Sequence, residues 1–137
     1  MKQPFSRKRN VGRRGAATVE FAVCLPVIVI LVLGSIEATT MIFLKQSLTV
    51  AAYEGGRTAI VPEATAADVQ AVCEQVLADR RINNATINVI PTNLDSIEPG
   101  QFIRVEVNAL CDDNAILSGR IFQGREMQGF AEFMKEF

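Results

Sequence analysis

The chain has 137 residues, a formal net charge of −1, and no histidine or tryptophan. That length accommodates one compact domain beside a membrane segment but not two domains, and the lack of histidine removes the commonest general base and metal ligand. The charge is unevenly placed: Lys2, Arg7, Lys8, Arg9, Arg13 and Arg14 fall in the first 15 residues without one acid, which leaves 8 basic and 15 acidic residues, a net of −7, beyond them.

Residues 1–14 are polar, basic and without periodicity, as expected of a disordered leader. A basic arm directly before an apolar run is a topology signal that keeps the arm in the cytoplasm, and this reading is favoured over a nucleic-acid arm. From Ala16 to Ile36 there are 21 residues, about 31 Å as a helix, just enough to cross a bilayer. Only 16 of them, Phe21 to Ile36, separate the acids Glu20 and Glu37, so the uncharged part is slightly short. An acid at the mouth of an apolar helix costs about 2.5–3.5 kcal/mol in lipid, so Glu20 calls for a function. Pro26 predicts a bend or a local loosening. Small residues for an ordinary signal peptidase are poorly provided, because Ile36 and Glu37 interrupt Gly34, Ser35 and Ala38.

The helical pattern continues past Glu37. Met41, Leu44, Leu48, Ala51, Gly55 and Ala59 form an apolar stripe, with Gln46, Thr49, Tyr53 and Arg57 opposite. Gly55 and Gly56 weaken the helix, and Pro62 marks its end. Thr65, with Asp68 three residues on, predicts a capped second helix whose apolar face is Val69, Val72, Cys73, Val76 and Leu77. Arg80 and Arg81 suit its last turn, and Asn83–Asn84 suits the stop.

Thr86 to Ile90 alternates and ends at Pro91. Thr92 to Gly100 is a turn-rich connection. Gln101 to Cys111 alternates clearly, with Ile103, Val105, Val107, Ala109 and Cys111 on one face, so the two segments are expected to pair as an antiparallel hairpin with one side against the helices. Ile116, Leu117, Ile121 and Phe122 predict a short helical or irregular segment closing over the sheet. Glu126 to Phe137 fits either element type and is read as a third strand. The expected fold is therefore α+β: a long N-terminal helix, membrane-spanning over 16–36 and amphipathic over 37–61, joined to a small head in which a second helix packs on two or three antiparallel strands. The expected division is a leader at 1–15, the long helix at 16–62 and the head at 63–137.

No catalytic constellation stands out, and an enzyme is not expected. Asp112, Asp113 and Asn114 lack the spacing of a calcium loop, so a solvated turn is the favoured reading. No phosphate loop, cofactor motif or metal-ligand spacing occurs. Cys73 and Cys111 fall on apolar faces of one extracytoplasmic core, where disulfides persist; the alternatives are a Cys73–Cys111 bridge and two buried free thiols. Cys24 lies within the apolar span.

The run Arg14-Gly15-Ala16-Ala17-Thr18-Val19-Glu20-Phe21-Ala22, followed by Leu25-Pro26 and Leu33-Gly34, resembles the opening of TadE-like proteins of the tight adherence (Flp, type IVc) pilus. The likeness extends through Leu48 to Arg57, where Gly55-Gly56-Arg57 is similar to the family's Gly-small-Arg motif, with Gly56 in place of the usual alanine. TadF- and TadG-like proteins share the N-terminal pattern. The resemblance implies a pilin-like minor pilin or pseudopilin, cut by a prepilin peptidase after Gly15, so that Ala16 becomes the first residue and Glu20 the fifth. It implies a single-pass protein of the bacterial cytoplasmic membrane, N-terminus inside and head outside. The implied partners are membrane lipid, the peptidase, other pilins or pseudopilins and the inner-membrane assembly platform, with no nucleic acid, no small-molecule substrate and no cofactor. The rival reading is a membrane-anchored extracytoplasmic binding module that keeps its leader.

Overall fold

The computed structural model describes residues 11–116 and 122–136, with side chains from residue 15 onward. Its elements are α1 (Val11–Ala59), α2 (Ala66–Asp79), β1 (Ala85–Ile90), β2 (Phe102–Leu110), a 3-10 turn (Asp112–Asn114) and β3 (Glu126–Met134). This is the expected α+β arrangement. The strands form one antiparallel sheet in the order β1-β2-β3, so the ambiguous C-terminal segment is a strand.

The chain divides into two units, Met1–Ile36 and Glu37–Phe137, and the division falls inside α1. In the first unit the described side chains from residue 15 are exposed, apart from a half-buried Gly34. A helix that is apolar all round and unburied is suited to a non-aqueous surrounding, and this one contains a stretch long and apolar enough to cross a membrane. The helix begins at Val11 rather than Ala16. The expected leader therefore contributes helical backbone over its last residues, and its first ten lie outside the described residues. Pro26 sits inside the helix without ending it.

In the second unit, α1 supplies Met41, Leu44, Leu48, Ala51 and Ala59 of the stripe read from periodicity to the core, and Ala52 beside them. Gln46, Thr49, Tyr53 and Arg57 are exposed, as expected of the opposing stripe. Arg57 lies in the last turn, where a cation complements the helix dipole. α2 starts with a full capping box: Thr65 Oγ1 accepts from the Asp68 N–H, and Asp68 Oδ2 accepts from the Thr65 N–H at 2.9 Å. The Thr65 hydroxyl, donating to Asp68 Oδ2 at 2.7 Å, and then the Thr65 N–H hold the Asp68 carboxyl below its ordinary value. At the other end, Arg81 N–H bonds Ala78 O and Ile82 N–H bonds Leu77 O, with Arg81 in the left-handed region at φ 56°. Arg81 thus takes the place that a glycine fills at many helix ends, ahead of Asn84, which is also left-handed.

The inner face of the sheet presents Ile103, Val105, Val107 and Ala109 of β2, all buried. They face Ile87 and Val89 across β1, and Phe133, Ala131, Gly129 and Met127 across β3. Both helices lie on this face. The solvent face is organised around Arg104, which stacks on Phe130 at 4.5 Å and pairs with Glu106 and Glu132. The β1–β2 connection carries two core residues, Leu94 and Ile97, each 5% exposed. One tight turn points both inward, with Ile97 N–H donating to Leu94 O. Lys135 Nζ donates to Leu94 O from the end of β3. Periodicity could not find this plug, because two apolar residues among polar ones carry no pattern of their own.

The β2–β3 connection differs from expectation in part. Phe122 is half-buried against the core, but Ile116 is 77% exposed. Leu117 and Ile121 lie outside the described residues.

Candidate functional site

Two of the groups of residues singled out from sequence lie on α1. In the first unit, Gly15, Ala16, Glu20, Phe21 and Pro26 are all exposed on the helix. A β-carbon added to Gly15 would meet nothing within 4 Å, so the backbone here is open to an approaching partner. Ala16 and Glu20 are four residues apart and share one face of the helix. The Glu20 carboxylate is thus one turn from the residue that cleavage after Gly15 would turn into an α-amine. The Arg14 side chain lies outside the described ones.

The second group, Gly55, Gly56 and Arg57, sits in the second unit and has another character. Gly55 and Gly56 are buried, and each faces a specific neighbour. A β-carbon on Gly55 would run into Cys73 Sγ and come within 3.3 Å of Val69 Cγ1 and 3.5 Å of Val105 Cγ1. One on Gly56 would run into the ring of Phe133, which also packs on Tyr53 at 5.4 Å between centroids. The glycines that weaken the helix locally are therefore the places where α1 meets α2 and β3. From the sheet side, a β-carbon on Gly129 would strike the α1 backbone at Leu48 and Thr49, with Leu48 O at 2.7 Å. Gly55, Gly56 and Gly129 thus fix the seat of the second half of α1 on α2 and the sheet.

Cys73 and Cys111 are both buried and both free. Cys73 Sγ donates to Ala51 O at 3.3 Å. It lies beside Gly55, as does Val105, whereas Cys111 comes six residues after Val105. That is about 20 Å along a strand, against the roughly 4.4–6.8 Å between Cα atoms that a bridge requires. The structure therefore holds two buried thiols rather than the Cys73–Cys111 bridge. Both faces are apolar as read, but they are opposite ends of one core. Burial pushes the Cys73 thiol up to about 11, with Glu74 adding to the shift and a backbone hydrogen bond at Gly55 opposing it. Cys111 is raised by burial and by Asp112, against the pull of Arg125.

Asp112, Asp113 and Asn114 act as a clasp. Asn114 Oδ1 accepts from Asn83 N–H at 2.8 Å, and its amide donates to Asn83 O and Leu110 O. Asp113 Oδ2 accepts from Asn84 Nδ2, and Asp112 Oδ2 accepts from Gly124 N–H. Asp113 and Asn114 tie the α2–β1 turn to the β2–β3 connection, which Asp112 braces internally. Among the described residues no group of three or more His, Cys, Asp or Glu is placed to hold a metal ion. A cavity of about 700 Å³ opens between α1 and β3, lined by Met41, Ile42, Lys45, Phe122, Met127 and others. Lys45 Nζ, at its edge, donates to Gln128 O.

The profile of the TadE-like protein family matches residues 15–57. This segment is TadE-like. The match opens at Gly15 and closes at Arg57, so it takes in both groups of residues on α1 and none of α2 or the sheet. No curated protein and no solved structure gives a significant match. The TadE-like segment alone carries the likeness, and the head that its second half supports has no counterpart in those comparisons.

Proposed function

We propose that this TadE-like protein is a minor pilin or pseudopilin that takes part in assembling a tight adherence pilus. The observation that carries the reading is the start of the family match at Gly15, with Glu20 five residues on along an exposed helix. A prepilin peptidase cuts after Gly15 and removes a leader bearing all six of the N-terminal positive charges. The cut frees an α-amine at Ala16, cationic at neutral pH. In a bundle of packed helices, Glu20 of one subunit pairs with the amine of its neighbour, which lowers the cost of holding either charge in apolar surroundings. Apolar packing drives the association, and the pair sets the stagger. The head, seated on the second half of α1, faces away from the cytoplasm, in keeping with the basic flank.

Mass spectrometry of the protein from membranes of its host tests this reading. The expected species begins at Ala16. A protein that keeps residues 1–15 would return the chain to the rival reading, an anchored binding module. Glu20→Ala is expected to abolish assembly while leaving cleavage intact, and normal pili in that variant would overturn the registry role.

A further inference from the structure

The sheet has two edges, and they are guarded differently. Lys135 N–H donates to Gln101 O and Cys111 N–H to Arg125 O, so the odd-numbered residues of β2 bond to β3 and the even-numbered ones to β1. The backbone groups of Gln128 and Phe130 therefore point off the β3 edge, and those of Ala85, Ile87 and Val89 off the β1 edge. On β3, Lys45 Nζ caps Gln128 O, and the strand itself carries Glu126 and Glu132. A lysine and other charges are common guards of an exposed edge. β1 has none. No charged residue lies between Arg81 and Asp95, and Thr86, Ile87, Val89 and Ile90 are of types enriched in strands. Among the described residues, the outward N–H and C=O groups of Ala85, Ile87 and Val89 have no hydrogen-bond partner. Beside this edge a recess of about 400 Å³ opens between Ala66 and Gln70 of α2 and Ile87 and Val89 of β1.

We propose that β1 pairs antiparallel with β1 of a second copy of this chain, about a two-fold axis at Ile87, and so joins two sheets edge to edge. The strand's own sequence selects a second copy. On the core side the two-fold sets Ala85 against Val89, small against large, and Ile87 against Ile87. On the solvent side it sets Thr86 against Asn88, a hydroxyl against an amide. The backbone agrees in phase, because the hydrogen-bonded pairs of this register, 85 with 89 and 87 with 87, are the residues whose N–H and C=O groups point outward. A slip of one residue loses that match. Charge narrows the choice further. From Glu37 onward the chain has 8 basic and 14 acidic residues, a net of −6, so two copies repel over most of their surface. β1 is a strand where close approach sets no like charges opposite each other. The recess leaves room on the core side for the incoming strand beside Ile87 and Val89. The pairing uses the second unit alone and needs neither cleavage after Gly15 nor a pilus.

Cross-linking of the full chain tests the register. Thr86→Cys and Asn88→Cys are each made with Cys24→Ala, because Cys24 is exposed. The two proteins carry tags of different size and are oxidised in micelles, alone and mixed. Position 86 of one copy and 88 of the other are expected about 4.5 Å apart between Cα atoms, within disulfide reach. Like positions are about 8 Å apart, beyond that reach. The mixture is expected to give a mixed-tag dimer several-fold in excess of what either protein gives alone. Val89→Pro in both proteins removes an N–H that points off the edge rather than into the ladder, and is expected to abolish the cross-link. A mixture that cross-links no better than the single proteins would overturn the pairing, as would a cross-link that survives Val89→Pro. If a cysteine variant fails to fold, hydrogen exchange of the parent decides. The amides of Ile87 and Val89 are expected to exchange about tenfold more slowly with many chains per micelle than with one, and equal rates would overturn the pairing. Slowing that appears only when host membrane extract is added would assign the edge to a different protein, which also overturns the second copy. None of these outcomes bears on where the leader is cut.

Discussion

The ring of Phe133 fills the space that a β-carbon on Gly56 would enter. Helix accounting alone says that Gly56→Ala should stabilise α1, by about 0.5–1 kcal/mol. The ring reverses the sign, because forcing an extra carbon into a packed contact costs about 1–3 kcal/mol. Gly56→Ala is expected to lower stability by about 1 kcal/mol on this balance. In a Phe133→Ala background the same substitution is expected to raise it. A double-mutant cycle by denaturant unfolding of the full chain in micelles reads the reversal directly. Additive effects would show that the ring is not what selects glycine.

Gly129→Ala is the severer change. Its β-carbon meets the α1 backbone at Leu48 and Thr49 rather than a side chain that can rotate away. Relief requires lifting the helix off β3 and opening the contacts of Leu48, which is fully buried. The expected cost is at the upper end of overpacking, about 3 kcal/mol, and a poorly folded head is the expected product. Far-ultraviolet circular dichroism together with resistance to limited proteolysis measures it, and a variant as resistant as the parent would refute the close approach.

The thiol of Cys73 gives a pH dependence with a definite sign. Burial raises it from the ordinary 9.0 to about 11, so the folded chain holds this proton more tightly than the unfolded one. The resulting stabilisation is complete below pH 9 and is lost as the pH rises through about 11. Thermal unfolding temperatures measured from pH 8 to 11 are expected to fall more steeply for the parent than for Cys73→Ala. Equal slopes would place the alkaline sensitivity elsewhere. The same burial predicts that Cys73 and Cys111 resist thiol reagents until the head is unfolded.

How far the chain could be read in advance depended on whether a residue's role was periodic. The stripe from Met41 to Ala59, the Thr65–Asp68 cap and the alternation in β2 are repeats or fixed spacings, and each forms as read. Gly55 and Gly56 could be read as helix weakeners and as part of a motif, but not as contacts. Their partners, Cys73 and Phe133, are far away in sequence, and nothing local announces them. The need for glycine at position 56 acquires its reason only with Phe133 in place. The cysteines stayed open between a bridge and two free thiols for the complementary reason. Periodicity placed both on the inner face but could not say how far apart along that face they lay. Leu94, Ile97 and the Asp112–Asn114 clasp lie in connections, where single side chains act through contacts that leave no pattern.

The end of α2 supplies the last test. Arg81 adopts φ 56° to let Ile82 N–H reach Leu77 O and Arg81 N–H reach Ala78 O. A residue with a β-carbon in that region is disfavoured by about 1–2 kcal/mol, whereas glycine enters it freely. The Arg81 side chain is exposed, so little packing is lost on removing it. Glycine also has more freedom to lose on folding, which offsets part of the gain. Arg81→Gly is therefore expected to stabilise the head by up to about 1 kcal/mol. Arg81→Ala, which keeps the β-carbon, is expected to gain nothing. The two variants are compared by denaturant midpoint at unchanged slope. A glycine variant no more stable than the alanine one would mean that the left-handed turn at Arg81 carries no strain.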